Sequence, residues 1–158
     1  MSPIGRMLVA FDGSDKDAAA LEWALAIAHP LGACVEVVHA LGLRESSHRP
    51  TDDGSESAHD RAIRETGEAM RRAIDTVRGS DPRDVALTVL SGHPALLLLR
   101  EIEARRPDLV VVGRRRSSLA SADALGSVSR EIASRSDVPV VVVPPAAPTD
   151  TPSATPAP

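Results

Sequence analysis

The segment 110–127 carries residue types that bind phosphate. A run of valines ends at Gly113, three arginines follow at positions 114–116, and the segment closes on Gly126 and Ser127. Glycine lets the backbone approach an anion closely, and arginine presents a planar set of donors that matches a phosphate group. These residue types indicate a phosphate-binding loop. A solvated surface connector would explain the basic run equally well.

A second group of polar residues follows the first apolar run, "MLVAFD", and consists of Asp12, Gly13 and Ser14. Ser14 with Asp17 three residues later predicts a capping box at a helix start. Gly126 and Ser127 precede another helical pattern, where free amides and the helix dipole attract anions. Glycine and serine are also common at helix starts without any ligand, so these two residues alone do not establish a site.

The elements that must position these residues follow from hydrophobic periodicity. Helical spacing predicts helices from about residue 14 to 31, over 58–78, from Pro94 onward and from Ser127 to about residue 136. Continuous apolar runs predict five strands, at 7–12, 33–40, 84–92, 108–113 and 138–145. Apolar strands separated by helices are typical of an open, doubly wound α/β fold, with a parallel sheet covered on both faces.

In such a sheet, ligands bind outside the carboxyl ends of the strands, where the strand order reverses. The loops after the first and fourth strands, at Asp12 and Gly113, therefore share one crevice if those strands are neighbours.

Length and composition limit the other functions. The 158 residues suit one domain, at 1–145, followed by a small-residue and proline-rich tail at 146–158 that we expect to be disordered. Aromatic residues make up 1% of the chain and the net charge is −4, so no stacking surface or basic field for nucleic acid is expected.

The expected location is the cytoplasm. No secretory signal is recognised and no apolar run is long enough to span a bilayer, so no membrane partner is expected. Cys34 is the only cysteine, which excludes a disulfide within the chain, and its apolar strand predicts a buried, inert thiol.

The order of these blocks resembles the universal stress protein family over residues 7–144. The matching segments are "VAFDGSDKDAAALEWALAIA", "VVVG" and "LGSVSREIASRSDVPVVVVP". The nucleotide-binding members have a motif of Gly, two residues, Gly, nine residues, then Gly and Ser or Thr. Gly113, Gly126 and Ser127 fill three of its positions, and Arg116 stands where the second glycine belongs.

The resemblance implies a strand order of 3-2-1-4-5 and an adenine nucleotide, with ATP favoured, with or without Mg²⁺. It places Asp12 beside the nucleotide, the backbone near Ala40 against adenine, and the amides of the glycine loop against the phosphates. It also implies a homodimer through the last strand, at Val140, Val141, Val142 and Val143.

Arg116 leaves two interpretations open. A non-glycine residue at a position that needs a positive φ angle costs about 1–2 kcal/mol, and its side chain would obstruct a phosphate path. An arginine in that place would alternatively bind the phosphate itself.

The favoured function is a stress-response regulator that binds an adenine nucleotide and is not an enzyme, since no general base is identifiable and any ATP hydrolysis would be incidental. One alternative is a family member that binds no nucleotide and acts through protein contacts. Another is an enzyme that transfers or hydrolyses a nucleotidyl group. The regulatory protein partners are unknown.

Three further kinds of chemistry are not supported. A phosphoacceptor aspartate at Asp12 would need a late lysine, and the only lysine is Lys16. His48 and His59 flank acidic residues without the spacing of a metal site. His39, at the end of the second strand, is interpreted as a structural imidazole, and no Ser-His-Asp arrangement can be assembled.

Overall fold

The computed structural model describes residues 3–42, 57–114 and 125–146. The elements are β1 (Arg6–Ala10), α1 (Asp15–Leu31), β2 (Cys34–Leu41), α2 (Ala58–Arg78), β3 (Val85–Ser91), α3 (Pro94–Arg105), β4 (Leu109–Gly113), α4 (Ser127–Arg135) and β5 (Val140–Val143). Each helix and strand predicted from periodicity is present, with bounds that differ by a few residues. The predicted tail from residue 147 onward lies outside the described residues.

The five strands form one parallel sheet in the order β3-β2-β1-β4-β5, which confirms the predicted doubly wound topology. Val9 of β1 pairs with Val37 of β2 on one side and with Val111 of β4 on the other. The chain winds outward from β1 to β3, then crosses to β4 and β5. The strand order therefore reverses between β1 and β4, where the loops of interest begin.

Helices cover both faces of the sheet, because alternate residues of each strand point to opposite sides. Val9, Val37 and Val111 pack under α1 and α2. Leu8 and Val110 point the other way and pack under α3 and α4. The central strands β1, β2 and β4 are largely buried on both faces, which explains their mainly apolar sequences.

Cys34 departs from the prediction, because its side chain is exposed. It is the first residue of β2, at the amino end of the sheet, where its N–H donates to the carbonyl of Gly5. Burial in a strand depends on which helices cover each position, and an apolar sequence alone does not specify that cover. Within the described ranges, no helix is long and apolar enough to cross a membrane.

Candidate functional site

A cleft of about 440 Å³ opens at the carboxyl ends of β1, β2 and β4. One side is built by the turn between β1 and α1, another by the end of β2, and a third by the end of β4 with the first turn of α4. Its lining comprises Ala10, Phe11, Asp12, Ser14, Asp17, Val38, His39, Ala40, Gly42, Pro94, Leu98, Val112, Gly113, Leu125, Gly126, Ser127, Val128 and Ser129.

The turn after β1 is held by two carboxylates. Asp12 Oδ1 accepts a hydrogen bond from the Ser14 N–H at 2.9 Å, and Asp17 Oδ2 accepts one from the Asp12 N–H, also at 2.9 Å. The predicted capping box is wrong, because Ser14 is the N-cap of α1 but makes no capping bond with its side chain. The Asp17 carboxylate instead fixes the turn from the buried side, and Asp12 stays exposed.

Gly13 at the centre of this turn has φ of 81°, a conformation that favours glycine. A methyl group added there would lie 2.9 Å from Met70 Cε, so α2 packs directly against the turn. The position of Asp12 in the cleft therefore depends on the backbone of Gly13 and on a side chain from a different helix.

The end of β2 is tied to the end of β1 beyond the last ladder pair. The Phe11 N–H donates to the Val38 carbonyl at 3.1 Å, and His39 Nδ1 lies 2.8 Å from the Phe11 carbonyl oxygen. His39 as a whole is buried, with 9% of its surface exposed. Ala40 follows His39 and also lines the cleft. The two contacts with Phe11 hold the ends of β1 and β2 at a fixed separation.

The opposite wall is formed by Gly113 and the start of α4. Gly126, the N-cap, has φ of 72° and ψ of 154°, and Ser127 is the first helical residue. Ser129 Oγ donates to the Gly113 carbonyl at 2.9 Å, which anchors the helix start to the end of β4. The first N–H groups of a helix have no intrahelical acceptor, so this wall offers donors and the positive end of a helix dipole.

The cleft thus brings together five of the predicted site residues, namely Asp12, Ala40, Gly113, Gly126 and Ser127. The lining residues that sequence reasoning did not assign to the site include Asp17, His39, Ser129 and an apolar wall with Phe11 and Leu98. Asp17 has a recognisable signal in retrospect, since a carboxylate in the first helical turn is placed to bond the preceding loop. Ser129 has none, because it is an ordinary helix serine in the sequence.

Arg116 lies outside the described residues, with the rest of 115–124. The two interpretations of that position therefore stay predictions. No group of three metal-ligating side chains occurs in the part of the chain that the structure describes.

Comparison with known proteins identifies the family of this chain. The model of the universal stress protein family matches residues 3–144. The chain belongs to the universal stress protein family. A universal stress protein of Thermus aquaticus is 34% identical over 143 residues, an alignment covering 87% of this chain and 96% of the relative. Membership agrees with the expectation of a stress-response protein rather than an enzyme.

Two solved structures of the universal stress protein family are similar in fold. One, in complex with cAMP, is 24% identical with a TM-score of 0.66, covering 92% of this chain and 100% of that chain. Another, from Arabidopsis thaliana with AMP bound, is 20% identical with a TM-score of 0.62, covering 95% of this chain and 97% of that chain. At these identities the likeness concerns the fold.

Proposed function

We propose that this universal stress protein is a regulator that binds an adenine nucleotide in the cleft between β1, β2 and β4. The observation that carries the proposal is the convergence of Asp12, Ala40, Gly113, Gly126 and Ser127 on one cavity at the point where strand order reverses. That location is where open α/β sheets bind their ligands. The residues come from four separate parts of the chain, and packing of the core alone does not require polar groups to meet there.

The size and chemistry of the cleft suit a nucleotide. Its volume of about 440 Å³ lies within the range of small-molecule sites, which is roughly 300–1,000 Å³. The phosphates would lie against the amides of Gly126 and Ser127 at the start of α4. The base would lie toward Ala40, against the apolar wall. Asp12 would face the ribose or a Mg²⁺ ion that accompanies the phosphates.

Two proteins with this fold support the choice of an adenine nucleotide, since one was solved with cAMP and another with AMP. ATP is the nucleotide favoured by the motif formed by Gly113, Gly126 and Ser127. The nucleotide would act as the signal that the protein senses, since membership of the universal stress protein family favours a regulatory role.

Calorimetric titration tests the proposal with AMP, cAMP and ATP, the last with and without Mg²⁺. We expect saturable binding of at least one of these at micromolar to low millimolar concentration. Small molecules released from the denatured protein identify any ligand that copurifies. Absence of binding at millimolar concentration of every nucleotide would refute the proposal and favour the protein-contact alternative.

We further propose that the protein forms a homodimer through β5. This strand is an edge of the sheet, bonded on one side to β4, and three of its four valines are only partly buried. The Val110 N–H donates to Pro139 and the Arg114 N–H to Val143, so the N–H and carbonyl groups of Val140 and Val142 point away from β4. Exposed apolar edges of this kind are usually covered.

The substitution Val142→Pro separates pairing from folding, because it removes an outward N–H and leaves the bonds to β4 in place. We expect a folded monomer, detected by light scattering together with circular dichroism. Val141→Pro is the matched control, since its inward N–H belongs to the sheet and its loss should destabilise the fold. A Val142→Pro protein that stays dimeric would contradict this mode of assembly.

A further inference from the structure

The thioether of Met70 fills the space beside the turn that carries Asp12. A Cβ added to Gly13 would lie 2.9 Å from Met70 Cε and 3.6 Å from Met70 Sδ. The end of the methionine therefore occupies the place where any other residue at position 13 would carry its side chain. Gly13 lies between Asp12 and Ser14, which both line the cleft. Met70 thus packs against the backbone segment that forms one side of the cleft.

Met70 lies on the inward face of α2 without being fully buried. It shares this face with Ala73, Ile74 and Val77, which follow it at helical spacing. Ile74 is buried, with 3% of its surface exposed, whereas Met70 is only partly buried. Of the two methionines within the described ranges, Met7 has no exposed surface. Met70 is therefore the more accessible of these two thioethers to a small solute.

Oxidation of the Met70 sulfur would change its contact with Gly13. The sulfur donates an electron pair to one oxygen of a peroxide, the O–O bond breaks, and with hydrogen peroxide the second oxygen leaves as water after proton transfer. The product is a sulfoxide, which is polar where the thioether was apolar. An oxygen directed at the turn would enter the space beside Gly13. An oxygen directed the other way would place a polar acceptor among the apolar side chains of the core cluster, which is unfavourable.

We infer that Met70 is a modification site, at which oxidation by a peroxide weakens nucleotide binding in the cleft. The inference rests on the proposed function and adds a form of regulation to the same site. The turn is tied on both sides of Gly13, at the N–H groups of Asp12 and Ser14. A displacement of Gly13 is therefore passed to these two neighbours, which line the cleft. The sulfoxide acts on the ligand through the turn, since Met70 itself is not a lining residue of the cleft.

The test compares the dissociation constant of AMP, measured by calorimetry, before and after treatment with hydrogen peroxide. The protein carries Cys34→Ser, because the exposed thiol also reacts with peroxide. Peptide mass spectrometry follows the added oxygen at Met1, Met7 and Met70 separately. We expect Met70 to oxidise faster than Met7, and AMP binding to weaken about tenfold, within the usual range of coupling between two sites. Methionine sulfoxide reductases should restore the affinity, which excludes irreversible damage.

Met70→Leu is the matched control, because leucine is apolar and similar in volume but has no sulfur to oxidise. Its affinity for AMP should be the same before and after peroxide treatment. Met70→Gln is the complementary variant, since its amide places a polar group beside Gly13 without any oxidant. We expect Met70→Gln to bind AMP about tenfold more weakly than Met70→Leu, with both variants folded by circular dichroism.

The outcomes separate this inference from the proposed function. Unchanged AMP affinity after complete conversion of Met70 to the sulfoxide would overturn the role of Met70 and leave the nucleotide site intact. A Met70→Leu protein that loses affinity on treatment, or a Met70 that oxidises no faster than Met7, would overturn it as well. An untreated protein that binds no nucleotide would overturn the proposed function, and this inference with it. The treatment and its enzymatic reversal need no substitution at Met70, so they decide even if a variant fails to fold.

Discussion

Gly126 offers the sharpest test of how the cleft is built, because its backbone conformation is one that other residues avoid. With φ of 72° and ψ of 154° it lies in a region that is essentially restricted to glycine. Forcing a Cβ into that region costs about 1–3 kcal/mol. The substitution Gly126→Ala should therefore lower the free energy of unfolding by about 2 kcal/mol.

For a chain of 158 residues, each kcal/mol shifts the midpoint of thermal unfolding by roughly 2–4 °C. We expect Gly126→Ala to unfold about 4–8 °C below the wild type in scanning calorimetry. If the backbone relaxes to relieve the strain, the amides at the start of α4 turn away from the cleft. AMP affinity should then fall by about tenfold, equivalent to 1.4 kcal/mol.

Gly42→Ala is the matched control for this experiment. Gly42 also lines the cleft, but its φ is outside the left-handed region and a Cβ there would meet nothing within 4 Å. We expect an unfolding midpoint at or slightly above that of the wild type. If Gly126→Ala unfolded at the same temperature as Gly42→Ala, the claim that the site needs a glycine conformation would be refuted.

Two predictions concern stability away from the cleft. Gly67→Ala should stabilise the protein by about 0.5–1 kcal/mol, measured by urea titration. Gly67 lies inside α2, and a Cβ there would make an ordinary 3.9 Å contact with Val89. A destabilised variant would contradict this expectation. Asp108 accepts from the N–H groups of Gly5 and Arg6, which lowers its pKa below 3.8, so Asp108→Asn should unfold more easily at neutral pH. The pKa of Asp108 is lower in the folded than in the unfolded protein. The difference in stability between the wild type and Asp108→Asn should therefore be complete above the unfolded-state pKa and disappear as the pH falls through the folded-state pKa. A difference that did not vary over that acid range would exclude the carboxylate as its source.

The sheet was largely predictable because its central strands are buried on both faces. Residues such as Val110 and Val111 are apolar regardless of which face they take, and this gives the unbroken runs that periodicity recognises. The order of the strands depends on pairing between segments distant in sequence, which periodicity does not reveal. The family resemblance supplied that prediction. The exposure of Cys34 was not predictable for a similar reason, because the tertiary structure determines which strand positions a helix covers.

The candidate site was predictable where a residue type has few structural uses and not where it has many. Gly126 and Asp12 stand out because glycine at a helix start and aspartate after a strand carry specific local chemistry. Ser129 and Asp17 act through bonds to Gly113 and Asp12, which depend on how a helix meets a strand end. The Asp17 contact could have been anticipated from its place in the first turn of α1, whereas the Ser129 contact has no signature in the sequence.

The composition of the cleft also links ligand binding to folding. Asp12 and Gly126 are more than a hundred positions apart in the chain, and they meet only after β1 has paired with β4. A chain in which only β1, β2 and β3 have folded lacks the end of β4 and the start of α4, which form the opposite wall of the cleft. A ligand of this cavity therefore recognises only the finished sheet, and at a hundred times its dissociation constant it would add about 2.7 kcal/mol to the free energy of unfolding.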